Sequence, residues 1–158
     1  QAIFRLWSAA EREAIGIYEV IWDNSNKKNG DYYLNTNQSF NFADGKATCS
    51  YGEATAKSLD DVTDEEDRVI LGLKSQHKKN IKNQASTRLA PTDWYVVKAT
   101  EVESYSVPSA MTTHRAAVRT ASNDMESKID ACSTVDELAA LYAYTGGTRP
   151  LGEFPEEV

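Results

Sequence analysis

Chemistry needs side chains that move protons, donate electron pairs or grip ions, and this chain offers few in working arrangements. Its histidines are His77 and His114. Neither has a partner His four residues away, the spacing that sets two imidazoles on one helix face around zinc. Both read as half-buried helix residues. The serines include no Gly-x-Ser-x-Gly elbow, the strained turn that presents a nucleophile. Residues 60–67 (DDVTDEED) carry six acids, but the run lacks the glycine that a calcium loop needs at its sixth position. A solvated helix start is the better reading. Asp23, Ser25 and Asp31, around an Asn-rich loop, are a weaker ion candidate. Retaining glycoside hydrolysis needs two carboxylates about 5 Å apart, one with a raised pKa. No Asp or Glu sits in the aromatic, strand-end setting that would raise one. The expectation is a chain that is not an enzyme and takes no cofactor or metal.

Two cysteines, Cys49 and Cys132, lie far apart in different predicted elements. They read as small buried thiols rather than as a disulfide framework. Asn37-Gln38-Ser39 matches a glycosylation sequon, a short motif that means little outside a secretory context.

The 158 residues fit one domain, or a small domain with an appended element, and can bury a real core. Hydrophobic residues make up 41% and charged residues 26%, a globular balance. The net charge of −7 repels phosphate backbones, which argues against nucleic acid as a partner. No apolar run approaches the roughly 20 residues that span a bilayer, so no membrane partner is expected. The chain opens at Gln1, not Met, and crowds Ile3, Phe4, Leu6 and Trp7 into its first residues. That opening suggests a preceding segment.

Ser8 and Glu11 form a capping box, predicting a short helix to about residue 15 that stops at Gly16. Residues 17–22 read as a strand, with Tyr18, Val20 and Trp22 on one face and Ile17, Glu19 and Ile21 on the other. The turn-forming loop 23–30 leads to a second strand at 31–35. Residues 38–43 place Phe40 and Phe42 on one face, and 46–51 place Ala47, Cys49 and Tyr51 on one face. Asp44-Gly45 between them is a strong hairpin signal. Residues 17–58 therefore predict an antiparallel β-meander. Such a meander is marginal alone and must be covered by a helix or another chain. Its aromatics (Tyr18, Trp22, Tyr32, Tyr33, Phe40, Phe42 and Tyr51) read as cross-strand packing, or as a face for docking protein or stacking sugar.

Thr63 to Glu66 resembles a second capping box, and the surrounding acids favour a helix start. This predicts a helix from about 63 to 88 with a thin stripe of Val69, Leu73, His77, Ile81, Ala85 and Leu89. So narrow a face packs in a bundle or against a copy of itself. Pro91 and Asp93 suit a new helical turn, after which Trp94 and Val97 share a face. Pro108 opens a long helix to about 131, striped by Met111, His114, Val118, Ala121, Met125 and Ile129. A last helix is capped at 133–136, turns Leu138, Leu141 and Tyr142 inward, and ends at Gly146-Gly147. The tail through Pro150 and Pro155 is expected to be extended and to dock on a neighbour. The fold class is α+β: a meander over about 17–58 and three to four helices over about 63–143. The expected divisions are 1–60, 61–145 and a tail at 146–158, together one compact unit.

Two stretches resemble tail-fibre and tail-assembly associated proteins of tailed bacteriophages, of the marine and cyanophage type. One is Leu6 to Val20, an aromatic, a helix turn, then Gly and a strand. The other runs from Pro91 to Ile129: Thr92-Asp93-Trp94 sits ahead of a Pro-led helix bearing the pair Arg115 and Arg119. The first block is short, and neither stretch is a catalytic signature. The resemblance implies a structural protein of the virion, in the tail, fibre or baseplate, made in the bacterial host cytoplasm and oligomeric. Its partners would be other virion proteins and copies of itself. The candidate docking residues are Trp7, Trp22, Tyr32, Phe40, Phe42, Leu73, Trp94, Met111, Val118 and Met125. The meander is longer than in tail-fibre assembly chaperones, which leaves open a chaperone absent from the finished particle, and the aromatic face leaves a carbohydrate-binding module as a third alternative.

Overall fold

A computed structural model describes residues 6–156; Ile3 and Phe4 of the apolar opening lie outside them. The fold is α+β, and the chain divides into two compact units, Gln1–Lys57 and Ser58–Val158, rather than one.

In the first unit, the Ser8–Glu11 capping box forms as expected and starts α1 (Ala9–Glu13). The strands are β1 (Val20–Asp23), β2 (Tyr33–Leu34), β3 (Ser39–Ala43), β4 (Lys46–Ser50) and β5 (Thr55–Ala56). The hairpin β3–β4 turns at Asp44 and Gly45, with φ of 51° and 73°. Positive φ at both central residues gives the turn the twist of its strands, and glycine adopts it without strain. The expected meander is only partly right. β4 lies between β3, antiparallel, and β1, parallel, while β2 and β5 form a separate antiparallel pair. The connection from β1 to β3 is long enough to carry the chain past one strand position, as a parallel neighbour requires. That connection is tied by side chains: Asn35 accepts from the Lys28 amide at 2.9 Å and donates to its carbonyl at 2.8 Å.

The second unit starts differently from its prediction. No helix begins at Thr63. Instead β6 (Val62–Thr63) and β7 (Val69–Ile70) form a small antiparallel hairpin. Asp64 is the reason. Its carboxylate accepts from the backbone amides of Glu66 and Arg68, each at 2.9 Å, closing a turn where a helix would have had to run. Short Asp side chains compete with helix in this way.

Helix α2 (Leu73–Leu89) begins after Gly72, with no side-chain cap. Its first free N–H groups are satisfied by the segment before the hairpin. Gly72 donates to the Asp61 carboxylate at 2.8 Å, Leu73 to the Ser58 carbonyl at 2.9 Å and Lys74 to the Leu59 carbonyl at 3.0 Å. This requires the two backbones to nearly touch. A Cβ at Gly72 would press on the Asp60 carbonyl and lie 2.7 Å from the Leu59 oxygen.

A single 3-10 turn (Ala90–Thr92) leads into α3 (Asp93–Glu101), followed by α4 (Ser109–Ala131) and α5 (Val135–Leu141). α2 and α4 run antiparallel, as ion pairs along them show: Lys78 with Asp130 at 2.7 Å and Lys82 with Glu126 at 3.3 Å. The core holds Leu73, Ile81 and Ala85 of α2, Val118, Met125 and Ile129 of α4, then Val135 and Leu138 of α5. The tail folds back on its own chain. Leu151 is buried and its amide donates to the Leu141 carbonyl at 3.0 Å, while the Lys128 ammonium donates to the Pro150 and Leu151 carbonyls. Phe154 lies under the Arg88 guanidinium, 4.5 Å from its ring centroid.

Two predictions follow from how α2 begins. Gly72→Ala should destabilise the second unit by about 1–3 kcal/mol, the range for forcing atoms into a filled site. Gly30→Ala, which meets open space, should be close to neutral; urea unfolding followed by helical circular dichroism compares them. The Asp61 carboxyl is held below the ordinary aspartate value, first by the Gly72 amide and then by the Ser75 hydroxyl. A depressed folded value means the contact stabilises above about pH 4 and is lost as pH falls through the depressed value. The Gly72 amide resonance should therefore titrate at a pH below that of a free aspartate, and Asp61→Asn should remove the step.

Candidate docking surface

The three predicted apolar faces of the first unit come together as one. Register places Trp22, Cys49 and Phe40 in one row across β1, β4 and β3, and Val20, Ala47 and Phe42 in the next. Residues opposite one another and two apart share a side of a sheet. Tyr18 and Tyr51 extend the same side: Tyr18 lies 4.5 Å from Phe42 and Tyr51 lies 5.7 Å from Trp22, centroid to centroid. The opposite side presents Asp23, Ser50 and Ser39 in one row and Ile21, Thr48 and Asn41 in the next. The sheet is thus apolar on one face and, Ile21 apart, polar on the other.

The apolar face is largely open. Phe40 is 68% exposed, Phe42 56% and Trp22 47%. Cys49, in the middle of its row, is fully buried. Both outer strands, β1 and β3, are sheet edges with one side of the backbone unpaired. Two or three short strands with one such face are marginal in water, and an exposed aromatic edge strand invites another chain.

The remaining predicted docking residues scatter. Trp7 is half-buried beside α1. Trp94 is half exposed on α3, its ring 3.9 Å from that of Tyr95, with Val96 and Val97 exposed nearby. Met111 is half-buried on α4. Four are corrected by their burial: Tyr32 packs inside the first unit, and Leu73, Val118 and Met125 lie in the core of the second. Their periodicity was that of a core, and a stripe cannot say whether its cover comes from the same chain. His114 is buried, and His77 is half-buried with its ring 4.6 Å from Tyr142. Both cysteines are free and buried.

The sequence reading of α4 missed Arg115 and Ser122 as buried residues. The signal was present: 111, 115, 118, 122, 125 and 129 alternate steps of four and three, the spacing of a helix–helix seam. Polar residues on that seam were passed over for His114 and Ala121 beside them. Arg115 Nη1 donates to the Leu89 carbonyl at 3.1 Å and to the Thr92 hydroxyl, and pairs with the Asp93 carboxylate at 2.8 Å. It fastens the end of α2 and the start of α3 to α4. Arg119, one turn on, donates to the Arg115 carbonyl at 3.4 Å.

No family model, no curated protein and no solved structure matches this chain.

Replacing Phe40 and Phe42 together by Ser should leave the chain folded, since both rings are mostly in water. It should also reduce binding of a hydrophobic dye such as ANS. Unchanged dye binding with unchanged circular dichroism would mean that the apolar face lies elsewhere.

Proposed function

We propose that this chain is a structural component of a tailed-bacteriophage virion, in the tail, fibre or baseplate, that works by docking onto other virion subunits. The observation that supports docking is the open apolar face built on Trp22, Phe40 and Phe42. Exposed aromatic side chains that are grouped rather than scattered mark interaction surfaces, and aromatics carry much of the energy of such contacts. Membership of a phage tail rests on the resemblance of residues 6–20 and 91–129, not on geometry.

The composition of the face favours protein over sugar. Its two central rows are Trp22, Cys49, Phe40 and Val20, Ala47, Phe42, in which Cys49 is fully buried and the Trp22 indole N–H is the side-chain donor that remains, with Tyr18 and Tyr51 adding one hydroxyl each beyond the rows. A sugar site needs several placed hydrogen-bond partners beside its stacking ring, to replace the water the hydroxyls lose. An apolar protein surface needs none.

Mass spectrometry of purified particles tests the proposal. The chain should be present at a fixed stoichiometry with the tail proteins, and Phe40→Ser/Phe42→Ser should lower its incorporation. Absence from finished particles, with presence in assembly intermediates, would favour the chaperone reading. Binding on a glycan array that is lost in Trp22→Ala would favour the carbohydrate-binding reading.

A further inference from the structure

Among the described residues, Arg115 makes all its polar contacts through one nitrogen. Nη1 meets the Leu89 carbonyl, the Thr92 hydroxyl and the Asp93 carboxylate. Nε and Nη2, which carry three N–H groups, donate no hydrogen bond to any described residue. The Arg115 side chain is 10% exposed, yet neither nitrogen is among the sealed polar atoms without partners. Arg115 lines a pocket of about 280 Å³ together with Val96, Val107, Thr112 and Arg119.

The geometry points to an oxyanion site at this corner of the second unit, taking a carboxylate carried on a short apolar stem. The charge on the pocket is unbalanced. Two guanidinium groups one helical turn apart line it, and like charges at that spacing repel. Asp93 stands against Arg115, but its side chain is 58% exposed and spends much of its field on water. Arg119 meets no carboxylate among the described residues.

The two arginines suit a planar, two-oxygen ligand. A guanidinium edge presents parallel N–H groups that match a carboxylate in a bidentate pair, which a lysine cannot reproduce. Nε and Nη2 of Arg115 form one such edge. Val96 and Val107 make two of the remaining walls apolar, and the third is Thr112, whose hydroxyl donates to the Pro108 carbonyl at 3.4 Å. Those walls disfavour a doubly charged phosphate, which would leave oxygens facing methyl groups. They suit a chain of a few carbons. The volume falls just under the usual range for ligand sites, about 300–1,000 Å³, which limits the stem to a short one.

Titration of the full chain with butyrate, followed by the arginine Nε–H resonances, tests the site. Saturable shifts of the Arg115 and Arg119 signals are expected. Arg119→Gln should weaken binding about tenfold or more, the loss of one charge-assisted pair, with the circular dichroism and urea midpoint unchanged because Arg119 is exposed. Arg119→Lys should rescue binding in part, having charge without the fork. Absence of a saturable shift, butyrate binding that Arg119→Gln leaves intact, or tighter binding of inorganic phosphate than of butyrate would each overturn the assignment. None of these outcomes bears on virion incorporation, so this site and the docking proposal stand or fall separately.

Discussion

The second unit depends on the seam between α2 and α4. α2 contributes a narrow stripe, Leu73, Ile81 and Ala85 buried with His77 half-buried between them, at steps of four residues. Its other positions are mostly Lys, Gln, Asn, Ser and Thr. Such a helix has little reason to form alone and takes its stability from the face it buries. α4 answers with Val118, Met125 and Ile129. The ion pairs Lys78–Asp130 and Lys82–Glu126 run beside the seam with partly exposed partners. Magnitudes decide between the two contributions. A partly exposed pair is worth about 0–1 kcal/mol, while each fully buried Ile or Met gains about 1.5–3 kcal/mol. The apolar stripe therefore holds the helices together, and the charges select the antiparallel register. The Lys78 ammonium, held above the ordinary lysine value first by its hydrogen bond to Asp130, stays charged across any physiological range.

Arg115 sits on that seam and is charged, which is costly unless its contacts replace water. The replacement is local. The 3-10 turn at Ala90–Thr92 aims the Leu89 carbonyl and the Thr92 hydroxyl at Nη1, and Asp93 follows at the first position of α3. The Asp93 amide bonds the Ala90 carbonyl in place of Leu89's, which leaves the Leu89 carbonyl to accept from the Thr92 hydroxyl and from Arg115. One sequence stretch, Leu89 to Asp93, thus supplies both the break and the acceptors.

Much of this was legible in the chain, and the failures have physical causes. The capping box at Ser8 and the Asp44-Gly45 turn are local signals, set within four residues, and they formed as read, while the cap of the last helix, expected over 133–136, is a box between Thr134 and Glu137. The faces of β1, β3 and β4 were also correct, because alternation is a property of one strand. The β3–β4 pairing was correct too, but that of β1 was not, because the parallel β1–β4 contact joins residues whose separation leaves no periodic trace. Thr63 to Glu66 matched a helix start, yet Asp64 closes a turn on Glu66 and Arg68, and the helix waits for Gly72. A backbone supplied by Ser58 and Leu59 caps it, and nothing in the local spelling marks that partner. The docking residues divided on a related point. Leu73, Val118 and Met125 found cover within the chain, while Trp22, Phe40 and Phe42 did not.

The two units solve the covering problem in opposite ways. In the second, every apolar helix stripe but that of α3 meets another element, and the tail closes over the end with Leu151. In the first, Cys49, Tyr32 and Tyr33 are buried while the largest rings of the sheet face remain in water. Each such ring buries on the order of 150–250 Å² when fully covered, so covering Phe40, Phe42 and Trp22 would remove several hundred Å² from water. At about 25 cal/mol per Å² the gain is several kcal/mol before the cost of association. A small sheet of this kind has little stability of its own to set against that figure. A partner that binds only the folded sheet would then raise the stability of the unit as well as occupy it. Docking of such a partner and folding of the first unit would in that sense be coupled, whereas the second keeps its shape through its own core.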